Sequence, residues 1–134
     1  MTFHRRAALA DQYQNDGMAA SSPPRLLLAV FDRLQRDLNT AIAAISMGQV
    51  EPAHRALVNA QDLVLELRLA LEDQTWSGAS ELQALYDYVI DRLVEANLSK
   101  DPRLVQDCLA IVVPLAETWV EADRMLRESS AVDA

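Results

Sequence analysis

Two groups of side chains in this 134-residue chain have the types that catalysis or metal binding requires, and neither forms a complete site. Glu51 and His54 make a Glu-x-x-His pair, which supplies two metal ligands from one helix in di-iron four-helix bundles. Such a site needs the motif twice, together with further inward-pointing glutamates, and the only other histidine is His4. We therefore interpret Glu51 and His54 as a solvent-facing pair in the first turn of a helix, and we expect neither a metal nor another cofactor.

Cys108 is the only cysteine, so it forms no internal disulfide. It lies in the apolar run 108–116, no histidine is near it in sequence, and no neighbouring residue predicts a stabilised thiolate. A small core residue is the simplest interpretation. The chain also lacks a glycine-rich phosphate loop. These observations predict that the protein is not an enzyme.

Composition favours one all-α domain, because 51% of the residues are hydrophobic while only three are glycine and five are proline. The formal charge of −8 disfavours nucleic-acid binding and docking on anionic membranes. The longest uncharged apolar runs, residues 26–31 and 108–116, are shorter than the roughly 18 residues that a membrane span needs. We find no signal-peptide pattern, so we expect a cytoplasmic protein without membrane insertion.

Apolar residues recur at intervals of three and four along most of the chain, which predicts helices with one buried side. Ser22 and Pro23 are typical of a helix start, Gly48 is placed to end that helix, and Asp101 followed by proline begins the last helix. The residues from Ser80 to Gln83 have the spacing of a capping box. The four predicted helices span about residues 22–47, 52–72, 80–97 and 101–128.

The connections between these helices are short compared with helices about 30 Å long, so consecutive helices must be antiparallel neighbours. We predict an antiparallel up-down four-helix bundle with an N-terminal arm or short cap helix. Residues 1–21 form the arm, residues 22–128 the bundle and residues 129–134 a flexible tail.

Predicted helices 2 and 4 carry more apolar surface than a four-helix core uses. One stripe of each faces inward, and the arm, a second copy of the chain or a partner must cover the other. The second stripes supply the candidate residues for such a contact, which are Val58, Leu65, Leu69, Val105, Leu109 and Val112.

Two polar side chains allow alternative interpretations. Gln61 lies within the apolar stripe of helix 2, where it either reaches water from the edge or recognises a partner. Tyr88 lies on a flank of helix 3 with Asp87, Asp91 and Arg92, where its ring is either partly exposed or a partner contact. Both are included among the candidate partner-binding residues.

Six short segments of the chain together form a recognisable set of motifs: Ser22-Pro23, residues 26–32, Asn59-Ala60-Gln61, Leu85-Tyr86-Asp87-Tyr88, Arg92-Leu93 and Ala96-Asn97. The most specific part is the tyrosine-aspartate-tyrosine run at 86–88 with its downstream residues. Over about residues 7–126, this set resembles the family of the flagellar secretion chaperone FliS. Arg33 and Trp76 stand near positions where the family usually has glycine, which indicates a divergent member.

The resemblance implies a cytoplasmic four-helix bundle that binds the disordered C-terminal segment of flagellin. Such a chaperone prevents premature filament polymerisation and delivers flagellin to the flagellar type III export apparatus. The resemblance also implies that the N-terminal arm covers part of the client surface, and Tyr13 matches the tyrosine of that arm. The sequence leaves open whether an anti-sigma factor is a second client. The alternative from another class is a homodimer, a self-associating helical bundle with a structural role.

Overall fold

The computed structural model describes residues 23–72, 75 and 77–133, and within them every regular element is a helix. Each helix packs against two others: α1 and α3 both contact α2 and α4. The connections are short, so neighbouring helices run antiparallel and the predicted all-α four-helix bundle is confirmed. The predicted arm lies outside the described residues. The helices are α1 (Pro23–Ser46), α2 (Val50–Leu69), α3 (Ala79–Ser99) and α4 (Pro102–Asp133).

Two of the predicted helix boundaries have the expected local chemistry. Gly48 has a φ of 70°, a left-handed conformation that glycine adopts without a steric penalty, and it separates α1 from α2. At the start of α4, the backbone N–H of Arg103 donates a 3.0 Å hydrogen bond to the Asp101 carboxylate. Hydrogen bonds from the Arg103 side chain and backbone hold the pKa of Asp101 below its usual value. Asp101 therefore caps α4 as an ionised group.

The predicted capping box at the start of α3 is wrong. The helix begins at Ala79 after Gly78, whose φ of 95° turns the chain, and no side chain caps it. Ser80 consequently lies inside the first turn. Gln83 instead donates a 2.8 Å hydrogen bond to the carbonyl of Leu71 beyond the end of α2. That carbonyl lacks a helical partner, so the Gln83 amide ties α2 to α3 rather than capping its own helix.

The last helix also differs from the predicted boundary at residue 128. α4 contains 32 residues and continues to Asp133, through positions assigned to the tail. No glycine or proline follows Pro114, so nothing in this part of the sequence stops the helix. At about 48 Å, α4 is much longer than α2, which has 20 residues.

The core contains most of the predicted inward side chains of the first three helices and Cys108 of α4, whereas Val94 of the predicted inner stripe is 42% exposed. Cys108 is fully buried, and burial raises the pKa of its thiol to about 12, so it is protonated at neutral pH. The fully or nearly fully buried residues of the first three helices include Phe31, Leu34, Leu38, Ala53, Leu57, Ala60, Val64, Tyr86, Val89, Leu93 and Ala96.

The predicted inner face of α4 requires a correction. Val105 and Val112 were assigned to an outward stripe, but their exposed fractions are 0% and 2%. Leu104 and Ile111 of the stripe predicted to face the core are only half-buried. The line of deepest burial runs between the two apolar stripes, because α4 packs against both α1 and α3. Val105 and Val112 are core residues and are not available to a partner on the bundle surface.

Candidate functional site: a surface along α2 and α3

Two polar bridges show how α2 lies against α3. Near the start of α2, Nδ1 of His54 lies 2.9 Å from the side-chain nitrogen of Asn97. About four turns further along α2, Nε of Arg68 donates a 2.5 Å hydrogen bond to the carboxylate of Asp87. Residue numbers rise along α2 as they fall along α3, so the bridges define an antiparallel register.

This register places apolar residues of α3 between the two bridges. In α3, Asp87, Ile90, Val94 and Asn97 follow a spacing of three, four and three, which keeps them on the side that faces α2. The outer two residues of this set form the bridges. Ile90 and Val94 therefore lie level with the middle of α2. Ile90 is half-buried, and Val94 has an exposed fraction of 42%.

The side of α2 that points away from the core carries three of the predicted partner-binding residues. Val58, Leu65 and Leu69 are separated by seven and four residues, so they lie in one line along the helix. Leu57 and Val64, which face the core, have exposed fractions of 0% and 1%. The outward line is half-buried throughout. Packing of the core therefore does not explain why the residues of this outward line are apolar.

Gln61 lies between this outward line and α3. It is seven residues after His54 and seven before Arg68, so all three occupy the strip of α2 that faces α3. Its side chain is half-buried. We name the combined region the α2–α3 surface and define it by Val58, Gln61, Leu65, Leu69, Ile90 and Val94.

Arg68 carries the charged contacts at one end of the α2–α3 surface. The hydrogen bond to Asp87 raises the pKa of Arg68. Arg68 also lies 3.9 Å from Glu72, one turn further along α2. The surface therefore has an apolar middle with a charged boundary towards the end of α2.

Tyr88 lies on another flank of α3. Its hydroxyl accepts a 2.9 Å hydrogen bond from Nε of Arg92, and the Arg92 guanidinium lies 5.0 Å from the ring centroid. The charge of Asp107 in α4 also acts on Arg92, which places this pair towards α4. The ring is 40% exposed. Tyr88 is therefore available to a partner, but it does not belong to the α2–α3 surface.

The structure thus brings together only part of the predicted site. Val58, Gln61, Leu65 and Leu69 share one surface, while Leu109 is half-buried beside the core on α4. Val105 and Val112 are internal, as described above. Tyr13 lies outside the described residues. Sequence reasoning assigned Ile90 and Val94 to the inner stripe; Ile90 does pack against the core, but Val94 is 42% exposed. Their spacing relative to Asp87 and Asn97 is the signal that places both on the side facing α2.

The groups that we considered for catalysis or metal binding are dispersed. Glu51 is exposed and lies 4.0 Å from Arg55, whereas His54 contacts Asn97. Among the described residues, no three His, Cys, Asp or Glu side chains form a group that can hold a metal ion. Within the same residues, every helix is too short or too polar to cross a membrane.

Comparison with known proteins identifies the family. The family model described as "Flagellar protein FliS" matches residues 6–126. The chain is 30% identical over 114 residues to the flagellar secretion chaperone FliS of Salmonella typhimurium, covering 84% of each chain. It is 27% identical over 110 residues to the FliS protein of Bacillus subtilis, covering 82% of each chain. The chain therefore belongs to the FliS family of flagellar export chaperones.

Proposed function

We propose that this protein is a cytoplasmic export chaperone for flagellin. It binds the disordered C-terminal segment of flagellin, prevents premature polymerisation and delivers the subunit to the flagellar type III export apparatus. Membership of the FliS family supports the export role, and relatives from Salmonella typhimurium and Bacillus subtilis carry the name flagellar secretion chaperone.

The observation that carries the proposal is the apolar line on the outward side of α2. Val58, Leu65 and Leu69 point away from a core that other residues of α2 already fill. A helix that packs on such a line places its own apolar residues against it, which is the helix-in-groove mode of peptide recognition. Ile90 and Val94 extend the line sideways onto α3. The α2–α3 surface is therefore suited to an amphipathic helix.

The energetic requirement of a disordered client also favours this surface. A segment that folds on binding must offset the loss of its conformational entropy, mainly by burying apolar area. Burial of a leucine-sized side chain contributes about 1.5–3 kcal/mol, whereas an exposed ion pair contributes about 0–1 kcal/mol. We therefore assign most of the affinity to Val58, Leu65 and Leu69. Tyr88 and Leu109 are candidates for additional contacts where the client wraps onto other faces.

The proposal is tested by mixing the protein with a peptide corresponding to the C-terminal segment of flagellin from the same bacterium. Size-exclusion chromatography with light scattering gives the mass of each species. We expect a stoichiometric complex of chaperone and peptide, and circular dichroism should show a gain of helix beyond the sum of the two components. A mixture that elutes as separate chaperone and peptide contradicts the proposal.

A self-associating structural bundle is the alternative function that this experiment distinguishes. Large exposed apolar side chains favour it, because Met47 in the turn after α1 is 70% exposed and Leu98 in the last turn of α3 is 84% exposed. In that case, light scattering detects a dimer whose mass does not change when the flagellin peptide is added.

A further inference from the structure

The three polar residues on the α3-facing strip of α2 do not have equivalent surroundings. His54 and Arg68 both meet polar side chains of α3, at Asn97 and Asp87. Gln61, midway between them, lies level with the apolar pair Ile90 and Val94. No described residue donates a hydrogen bond to the Gln61 side-chain amide or accepts one from it, and the amide retains contact with solvent.

A partner helix on the α2–α3 surface removes this solvent from Gln61. A buried amide that loses water without gaining a hydrogen bond destabilises the complex, because its desolvation is not compensated. The surrounding surface cannot supply the bond, because the neighbours Val58, Leu65, Ile90 and Val94 are all apolar. The partner must therefore supply it.

We propose that Gln61 sets the register and the selectivity of the client helix, an inference that rests on the proposed function. The client helix places one Asn, Gln, Ser or Thr side chain opposite Gln61, within an otherwise apolar face. Apolar client residues three or four positions to either side then contact Val58 and Leu65. A glutamine amide both donates and accepts hydrogen bonds, so it pairs with any of these four side chains. In coiled coils, a single polar residue in an apolar interface selects one register, because every other register leaves its side chain buried without a hydrogen bond.

The test is a set of double-mutant cycles measured by isothermal titration calorimetry with the flagellin C-terminal peptide. Each Asn, Gln, Ser and Thr of the peptide is replaced singly by leucine or valine, and each peptide is titrated into wild-type protein and Gln61→Leu. We expect Gln61→Leu to bind the unmodified peptide about tenfold more weakly, since the polar client residue then lacks a partner. One peptide replacement should recover most of the lost affinity for Gln61→Leu. The same replacement should weaken binding to the wild-type protein.

Gln106→Leu is the matched control, because Gln106 is exposed on α4 and the same chemical change there should leave affinity unchanged. Thermal melting of Gln61→Leu checks that the free bundle retains its stability. Equal or tighter binding of the unmodified peptide by Gln61→Leu overturns the inference and leaves the proposed function standing. Similar coupling at several peptide positions also overturns it, because no single register is then selected. Absence of any complex with the wild-type protein overturns the proposed function and this inference with it.

Discussion

α2 and α4 both carry two apolar stripes, but the bundle uses them differently. In α2, one stripe fills the core and the other, containing Leu65, points outward and is half-buried. In α4, the deepest burial falls between the stripes, so Val105 and Val112 join Cys108 inside. The same apolar surplus therefore marks a surface for a partner in one helix and a wide internal contact in the other. Hydrophobic content by itself does not distinguish these uses.

The largest effect should follow from a charge placed on the buried side of α4. Val112→Asp puts a carboxylate among core side chains, and an uncompensated buried charge destabilises a fold by about 3–5 kcal/mol. We expect a large fall in the melting temperature measured by circular dichroism. The thiol of Cys108, one turn earlier, should also become accessible to a thiol reagent. If Val112→Asp melts at the same temperature as wild type and its Cys108 thiol stays protected, the assignment of Val112 to the core is contradicted.

Leu65→Asp is the matched change on α2 and should separate stability from binding. The side chain points outward, so we expect the melting temperature of the free protein to stay close to that of wild type. Binding of the flagellin peptide should weaken by about 1.5–3 kcal/mol or more, measured by calorimetry, because a client leucine loses its apolar contact. Raising the salt concentration should weaken wild-type binding only slightly. A steep salt dependence combined with normal binding by Leu65→Asp would refute the hydrophobic account.

A smaller effect is expected from the bridge at the end of the α2–α3 surface. Arg68 is partly exposed, with 29% of its side chain accessible, and Asp87 is 51% accessible. Replacement of Asp87 by asparagine removes the charge of an ion pair that solvent screens, so the free energy of unfolding measured with urea should change little. Asp91→Asn, one turn along α3, is the control without an arginine bridge. A loss of stability comparable to that of Val112→Asp would show that the bridge contributes more than a surface pair does.

Deletion of residues 1–18 should have the smallest effect on the bundle. We propose that this segment competes with the client, because Leu9, Tyr13 and Met18 provide only a few apolar anchors. Affinity for the flagellin peptide, measured by calorimetry, should stay equal or rise after the deletion. The melting temperature of the truncated protein should stay close to that of wild type. A large loss of affinity would instead identify Tyr13 and its neighbours as part of the binding site.

Local signals in the sequence determined the number of helices, most of their boundaries and the family. Gly48 and Asp101 act within their own turns, so their effect needs no knowledge of distant residues. The start of α3 was misassigned because Gln83 has a competing partner at Leu71, 12 residues away in the sequence. Short-range spacing contains no information about that competition.

Tertiary packing decided which apolar residues face inward and which polar residues meet. Both stripes of α4 have the periodicity of a buried helix, and only the positions of α1 and α3 place Val112 inside. His54 and Asn97 are 43 residues apart, and Arg68 and Asp87 are 19 apart, so these bridges exist only once α2 lies against α3. The same packing leaves Gln61 beside Ile90 and Val94. The sequence by itself therefore determined a flagellar export chaperone built from four helices, whereas the α2–α3 surface depends on helix register, which is fixed by contacts between distant residues.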